Sequence, residues 1–277
     1  MKQFILSSVI FLVFLFALTI AINFFLLFTG IYKQTVAGAE IYYSINKSKE
    51  KRKQKKIILG DSMGSQLFPN TINNSTFTSL ACNQAIGMIG HYLLLNNALN
   101  AGNHFDTVFM VITPFSFQNN LNQIYTYHYF LKPFYNAEYS PLFTKTVNVQ
   151  IQKIPYSNFC CYPYILTSNW APDFASMDDI TYTFLSPITI QYLDKIKELG
   201  FKYNFKLIIL PTPTALCKKL LVEKMDKNEI VKNNLSDEFK NYFKNLIYLN
   251  DSNFIDGIHL KEPQKHKEYY KNIIRGW

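Results

Sequence analysis

At 277 residues the chain fits one large domain or two small ones, and its net charge of +9 is concentrated rather than spread. Residues 47 to 56 hold seven basic side chains and one acid, a local charge of +6 that leaves +3 for everything else. That distribution argues against a nucleic-acid-binding protein, which needs basic residues over a folded face. The four cysteines (Cys82, Cys160, Cys161, Cys217) and five histidines show no metal-ligand spacing, and a bond between adjacent Cys160 and Cys161 would be strained.

From Phe4 to Phe28 the chain is almost wholly apolar, interrupted only by Ser7, Ser8, Thr19 and Asn23. Roughly 20 such residues cross a bilayer as a helix, so residues 4–30 read as a transmembrane segment. Ala37-Gly38-Ala39 resembles a signal-peptidase site, but a cleaved signal has an apolar core of only ~7 to 15 residues. The longer run here predicts an uncleaved signal anchor. Lys2 on one flank faces Lys33 and the 47–56 cluster on the other, and counting those charges puts the remainder of the chain in the cytoplasm. Residues 31–55 read as a basic, polar juxtamembrane linker, either a solvated spacer or a contact for anionic lipid.

Beyond it, three short apolar runs (56–59, 107–112 and 206–210) each stop at turn-forming residues: Gly60-Asp61, Thr113-Pro114 and Pro211-Thr212-Pro213. Such runs suit strands buried on both faces of a parallel sheet. Helical spacing marks residues 88–101, 188–199, 237–246 and 262–274, with Gly102 and Gly200 as stops for the first two. Alternating strands and helices predict an α/β fold over residues 56–277. The stretch 121–186 breaks the rhythm. Rich in aromatics and without a period, it reads as an insertion or lid over the strand ends, its rings either stacking on sugars or packing the insertion onto the domain.

Gly60-Asp61-Ser62 follows the first strand, and Asp256-Gly257-Ile258-His259 precedes the last helix. A hydroxyl, an imidazole and a carboxylate are the parts of a nucleophilic acyl-transfer site. Singly, each has a plainer explanation: Asp61 and Ser62 suit a helix N-cap, and Asp256-Gly257 suits a turn. Together, in this order, residues 57–277 resemble the SGNH/GDSL hydrolase family. The resemblance implies a flavodoxin-like three-layer α/β sandwich with no cofactor, in which Ser62 is the nucleophile, His259 the general base and Asp256 the acid that orients the imidazole. It also implies an oxyanion and substrate-binding group drawn from Asp61, Asn83, Gly87 and Ser116. The family's Gly-x-Asn-Asp block is missing, since Thr113-Pro114-Phe115-Ser116 stands there and Asn119 and Asn120 follow late.

That departure, the anchor and the Pro211-Thr212-Pro213 exit are more similar to divergent membrane-anchored SGNH-like proteins of bacterial cell-envelope modification, such as accessory proteins of alginate acetylation and teichoic acid D-alanylation. The resemblance implies an extracytoplasmic esterase or O-acyltransferase handling small acyl groups on cell-surface glycans, alongside a membrane-bound O-acyltransferase. Two other classes stay open: a non-catalytic glycan-binding or accessory partner, and a lipid-binding scaffold driven by the basic stretch.

Overall fold

A computed structural model describes residues 2–276 except 36–37, 73, 124 and 161–181. In chain order the elements are α1 (Lys2–Thr29), α2 (Tyr32–Thr35), α3 (Ala39–Ser48), β1 (Lys56–Gly60), α4 (Ser62–Leu67), β2 (Phe77–Ser79), α5 (Gly87–Asn100), β3 (Thr107–Ile112), α6 (Lys132–Phe134), α7 (Lys145–Lys153), α8 (Pro187–Tyr203), β4 (Lys206–Pro211), β5 (Thr214–Ala215), α9 (Lys219–Glu223), α10 (Asn228–Lys232), β6 (Tyr248–Leu249) and α11 (Gln264–Arg275). Short 3₁₀ turns and a π-helical turn at Tyr127–Leu131 fill several connections.

β1, β2, β3 and β4 form one parallel sheet in the order β2-β1-β3-β4. The strand residues alternate between two cores, as a period of two demands. Ile57, Leu59, Val108, Met110 and Ile112 face one layer of helices, with α3, α5 and α8. Ile58, Phe109, Val111, Ile208 and Leu210 face the other, with α4 and α11. The alternating pattern is realised as an α/β fold around a parallel sheet, and its helices lie in two layers, as the family resemblance implied. Parallel strands covered on both faces explain the unbroken apolar runs. Because β1 has β2 on one side and β3 on the other, the chain reverses direction of winding at the carboxyl end of β1. Open α/β sheets place their ligand crevice at such a switch point.

α1 has 28 residues, about 42 Å at 1.5 Å per residue, and is long and apolar enough to cross a membrane. The following stretch corrects the reading of residues 31–55 as a polar linker. α3 is amphipathic and packs into the domain through Ile41, Tyr42 and Ile45, all buried. Even Lys47 is buried, its ammonium donating to the carbonyl of Asn70, and burial lowers its pKa to about 8. Of the remaining basic cluster, Lys49 pairs with Glu138, Arg52 with Glu50, and Lys56 donates to the Ile274 carbonyl at 2.8 Å. Lys47, Lys49, Arg52 and Lys56 are thus tied to the fold, while Lys51, Lys53 and Lys55 are exposed.

Two further expectations differ. Residues 237–245 form consecutive turns rather than a helix, because Phe239, Tyr242 and Phe243 are packed ring against ring on Phe117 and Phe184, with Tyr242 and Phe239 buried. α8 runs through Gly200 and stops at Asn204, whose left-handed backbone (φ 55°) ends the helix. Where it is described, the aromatic stretch contributes mainly to the core. Tyr127, Phe130, Phe134 and Tyr139 are buried in the larger core, Tyr139 accepting from Asn97 of α5 at 2.9 Å, so the rings pack the segment along the helical layer. Tyr162, Tyr164, Trp170 and Cys161 lie outside the described residues.

Candidate active site

Ser62 opens α4 at the carboxyl end of β1. Asp61 caps that helix, its Oδ1 accepting from the amides of Met63 and Gly64 at 3.0 Å each. Its Oδ2 reaches across to the end of β3, accepting from the Thr113 amide at 2.6 Å and the Ser116 hydroxyl at 2.7 Å. One fully buried carboxylate thus ties the turn after β1 to the turn after β3. α4 can sit this close to the sheet only because residue 64 has no side chain: a Cβ on Gly64 would lie 2.3 Å from the Val111 carbonyl oxygen. Two buried tyrosine hydroxyls satisfy carbonyls at the same sheet edge, Tyr242 at Ile112 (2.7 Å) and Tyr270 at Pro211 (2.8 Å).

The second loop folds onto this edge from the C-terminal side. Phe254 and Leu260 form an antiparallel bridge, and the loop between them turns at Gly257 (φ 76°). Asp256 organises it, with Oδ1 accepting from the amides of Ile258 (3.0 Å) and His259 (2.8 Å) and Oδ2 lying 2.7 Å from His259 Nδ1. These bonds, first from the His259 amide and then from its ring, lower the Asp256 carboxyl to about 2. An ionised Asp256 only accepts, so the proton belongs on Nδ1 and the Nε2 lone pair is left free. His259 Nε2 lies 3.0 Å from Ser62 Oγ. The structure therefore brings together Ser62, His259 and Asp256 in one hydrogen-bonded chain.

Gln66 holds the two halves in register. It stands one helical turn after Ser62 on the same face of α4, its Oε1 accepting from the Leu260 amide (2.9 Å) and its Nε2 donating to the Leu260 carbonyl (3.3 Å). The neighbour of His259 is thereby clamped to the helix that carries Ser62. The i, i+4 spacing from Ser62 was readable in the sequence; its backbone partner was not.

The oxyanion expectations need correction. Asp61 and Ser116 bond to each other and serve the scaffold. Gly87 donates its amide to the Gln84 carbonyl, closing a 3₁₀ turn. Asn119 also donates to Gln84 O, at 2.8 Å, and accepts from the Leu121 amide, while Asn120 donates to the Tyr182 hydroxyl. Asn83 follows Cys82, whose amide bonds Gly60 O at 3.0 Å, and uses Oδ1 to cap Ala85. Its Nδ2 and the amide of Ser62, which at the first helical position has no intrahelical acceptor, are two donors at this edge with no acceptor among the described residues. A small pocket of about 110 Å³ opens beside the histidine loop, lined by Gln84, Thr113, Phe115, Ala215, Lys218 and Ile258 among others. Among the described residues no group of three His, Cys, Asp or Glu side chains has the geometry to hold a metal ion.

No family model matches this chain, and no curated protein matches it. Among solved structures, one from Bacteroides fragilis NCTC 9343, provisionally described as an acylhydrolase, superimposes over 84% of this chain and 94% of its own at 10% identity. The TM-score is 0.39, too loose a likeness to bear on chemistry.

Proposed function

We propose that this chain is a membrane-anchored serine esterase or O-acyltransferase that handles small acyl esters of cell-surface glycans through an acyl-Ser62 intermediate. The observation that carries the reading is the continuous contact from Ser62 through His259 to Asp256, held by two loops that meet at the switch point of the sheet. As Ser62 Oγ attacks the ester carbonyl carbon, its proton passes to His259 Nε2, and Asp256 stabilises the imidazolium. That proton then goes to the departing alkoxide as the ester bond breaks. A glycan hydroxyl or water, deprotonated by Nε2, attacks the acyl-serine and restores the free hydroxyl. The Ser62 amide and Asn83 are the donors offered to the tetrahedral oxyanion.

An extracytoplasmic placement is part of the proposal. The basic cluster that argued for the cytoplasm begins at Lys47, eighteen residues past the end of α1 at Thr29 and with that first lysine buried in the domain, which leaves Lys33 against Lys2 beside α1. A second reading, a non-catalytic partner of a membrane-bound O-acyltransferase, draws support from the commitment of Gly87 and Asn119 to Gln84.

Full-length protein in detergent should release acetate from an activated acetyl ester, and Ser62→Ala should abolish that release. Equal turnover by both would favour the non-catalytic partner. Mass spectrometry of envelope glycans from cells carrying Ser62→Ala should show a changed acyl content.

A further inference from the structure

The direction of α3 fixes which end of the domain meets α1. Gly38, immediately before it, lies against the backbone of His128, and the turn at Tyr127–Leu131 packs on the Gln84–Ile86 turn, which follows directly on Cys82 beside Gly60 at the carboxyl edge of the sheet. Ser48 at the end of α3 accepts from Asn97 near the foot of α5, and Arg52 then bonds Asn103 before the chain enters β1 from the amino edge. The helix thus descends from the edge where Ser62 opens to the opposite edge. Its first turn is the one that faces α1: the Tyr32 ring packs edge to face on Tyr42, with centroids 6.2 Å apart, and Lys33 lies over the same ring at 5.7 Å. Thr29, the last residue of α1, is three residues from Tyr32, a reach of about 10 Å.

The same edge carries exposed apolar side chains on two segments that meet at the small pocket. Leu216, Leu220 and Leu221 project around Lys218 and Lys219, and Ile255 and Ile258 flank Asp256, with Leu220 68% and Ile255 69% exposed. Leucines interleaved with lysines suit an anionic bilayer surface, the apolar groups entering the acyl boundary and the ammonium groups meeting phosphates.

We infer that the carboxyl edge of the sheet rests on the bilayer surface, so that Ser62 takes its acyl group from an amphiphilic ester held in the membrane rather than from a freely diffusing one. This rests on the reading of α1 as a membrane span and of Ser62 as the acylated residue.

A depth measurement tests it in full-length protein reconstituted in nanodiscs of phosphatidylcholine and phosphatidylglycerol. One sample carries a fluorophore on Cys217, exposed beside Lys218, and the other on Phe201→Cys in a Cys217→Ser background, with Cys161→Ser in both. Phe201 lies near the foot of α8, and the six-residue strands between the two edges span about 20 Å. Nitroxide lipid labelled at the headgroup should quench the probe at 217 several-fold more than the probe at 201. Replacing Leu216, Leu220 and Leu221 by serine should weaken quenching at 217. Equal quenching, stronger quenching at 201, or none at either position overturns the inference, including the case where a membrane protein rather than lipid covers this edge. Ser62→Ala should quench like the parent, so orientation is read independently of acyl chemistry.

Discussion

Removing the Asp61 carboxylate should destabilise the domain by an amount set by its four bonds. In Asp61→Ala the cap on Met63 and Gly64 is lost, worth about 0.5–2 kcal/mol. The Thr113 amide loses its acceptor at the end of β3, and a buried unsatisfied donor costs about 1–3 kcal/mol. The Ser116 hydroxyl is partly spared, since Gln84 Oε1 lies 3.3 Å away and can accept instead. The sum is about 2–5 kcal/mol, a large share of the ~5–15 kcal/mol by which domains of this kind are stable. Asp61→Asn separates the two halves of the argument. Its oxygen can keep the cap, but its NH₂ then faces the Thr113 amide, so it should lose about 1–3 kcal/mol, less than alanine. Urea titration of the full chain in detergent, read by pulse proteolysis, measures both. An asparagine variant as stable as the parent would refute the idea that Oδ2 holds the β3 turn in place.

Gln66→Ala should lower kcat for ester release by roughly tenfold or more with little change in KM, as expected when a base is displaced by about 1 Å; an unchanged kcat would show that the histidine loop holds itself. Gly64→Ala places a methyl group 2.3 Å from the Val111 carbonyl and should cost about 1–3 kcal/mol of stability, seen in the same urea titration, along with most of the activity. A fully stable, active alanine variant would mean α4 can lift off the sheet freely. Asp256 is held below its unfolded value, so the stability it contributes is present above the ordinary carboxylate range and fades as pH falls through about 2. Carbon-detected NMR of its carboxyl should show a midpoint near that value, and one at or above the ordinary range would contradict the hydrogen-bond geometry.

Much of this architecture was legible because the buried strands left no choice. Ile57–Leu59, Thr107–Ile112 and Ile208–Leu210 are covered on both faces, so their runs are apolar without alternation and end abruptly at turn residues. α3 was obscured for the opposite reason: over ten residues its apolar stripe is Ile41, Tyr42 and Ile45, its other buried positions are Ser44, Lys47 and Ser48, and a buried Lys47 does not announce itself as core. The turns at 237–245 have helical spacing in sequence, yet their shape is dictated by rings contributed from Phe117 and Phe184, distant in the chain. At the site, the side chains of the hydrogen-bonded chain could be named from two short motifs. The backbone could not. Whether the amides of Gly87 and Thr113 face a ligand or a neighbour depends on tertiary contacts with Gln84 and Asp61 that no local pattern encodes.

The central claim is that Ser62 is made nucleophilic by His259. Intact-mass and peptide mapping of the full chain after exposure to a fluorophosphonate should find one adduct, on Ser62, formed far more slowly in His259→Ala. Absence of an adduct, an adduct elsewhere, or equal labelling of the His259→Ala chain would contradict it.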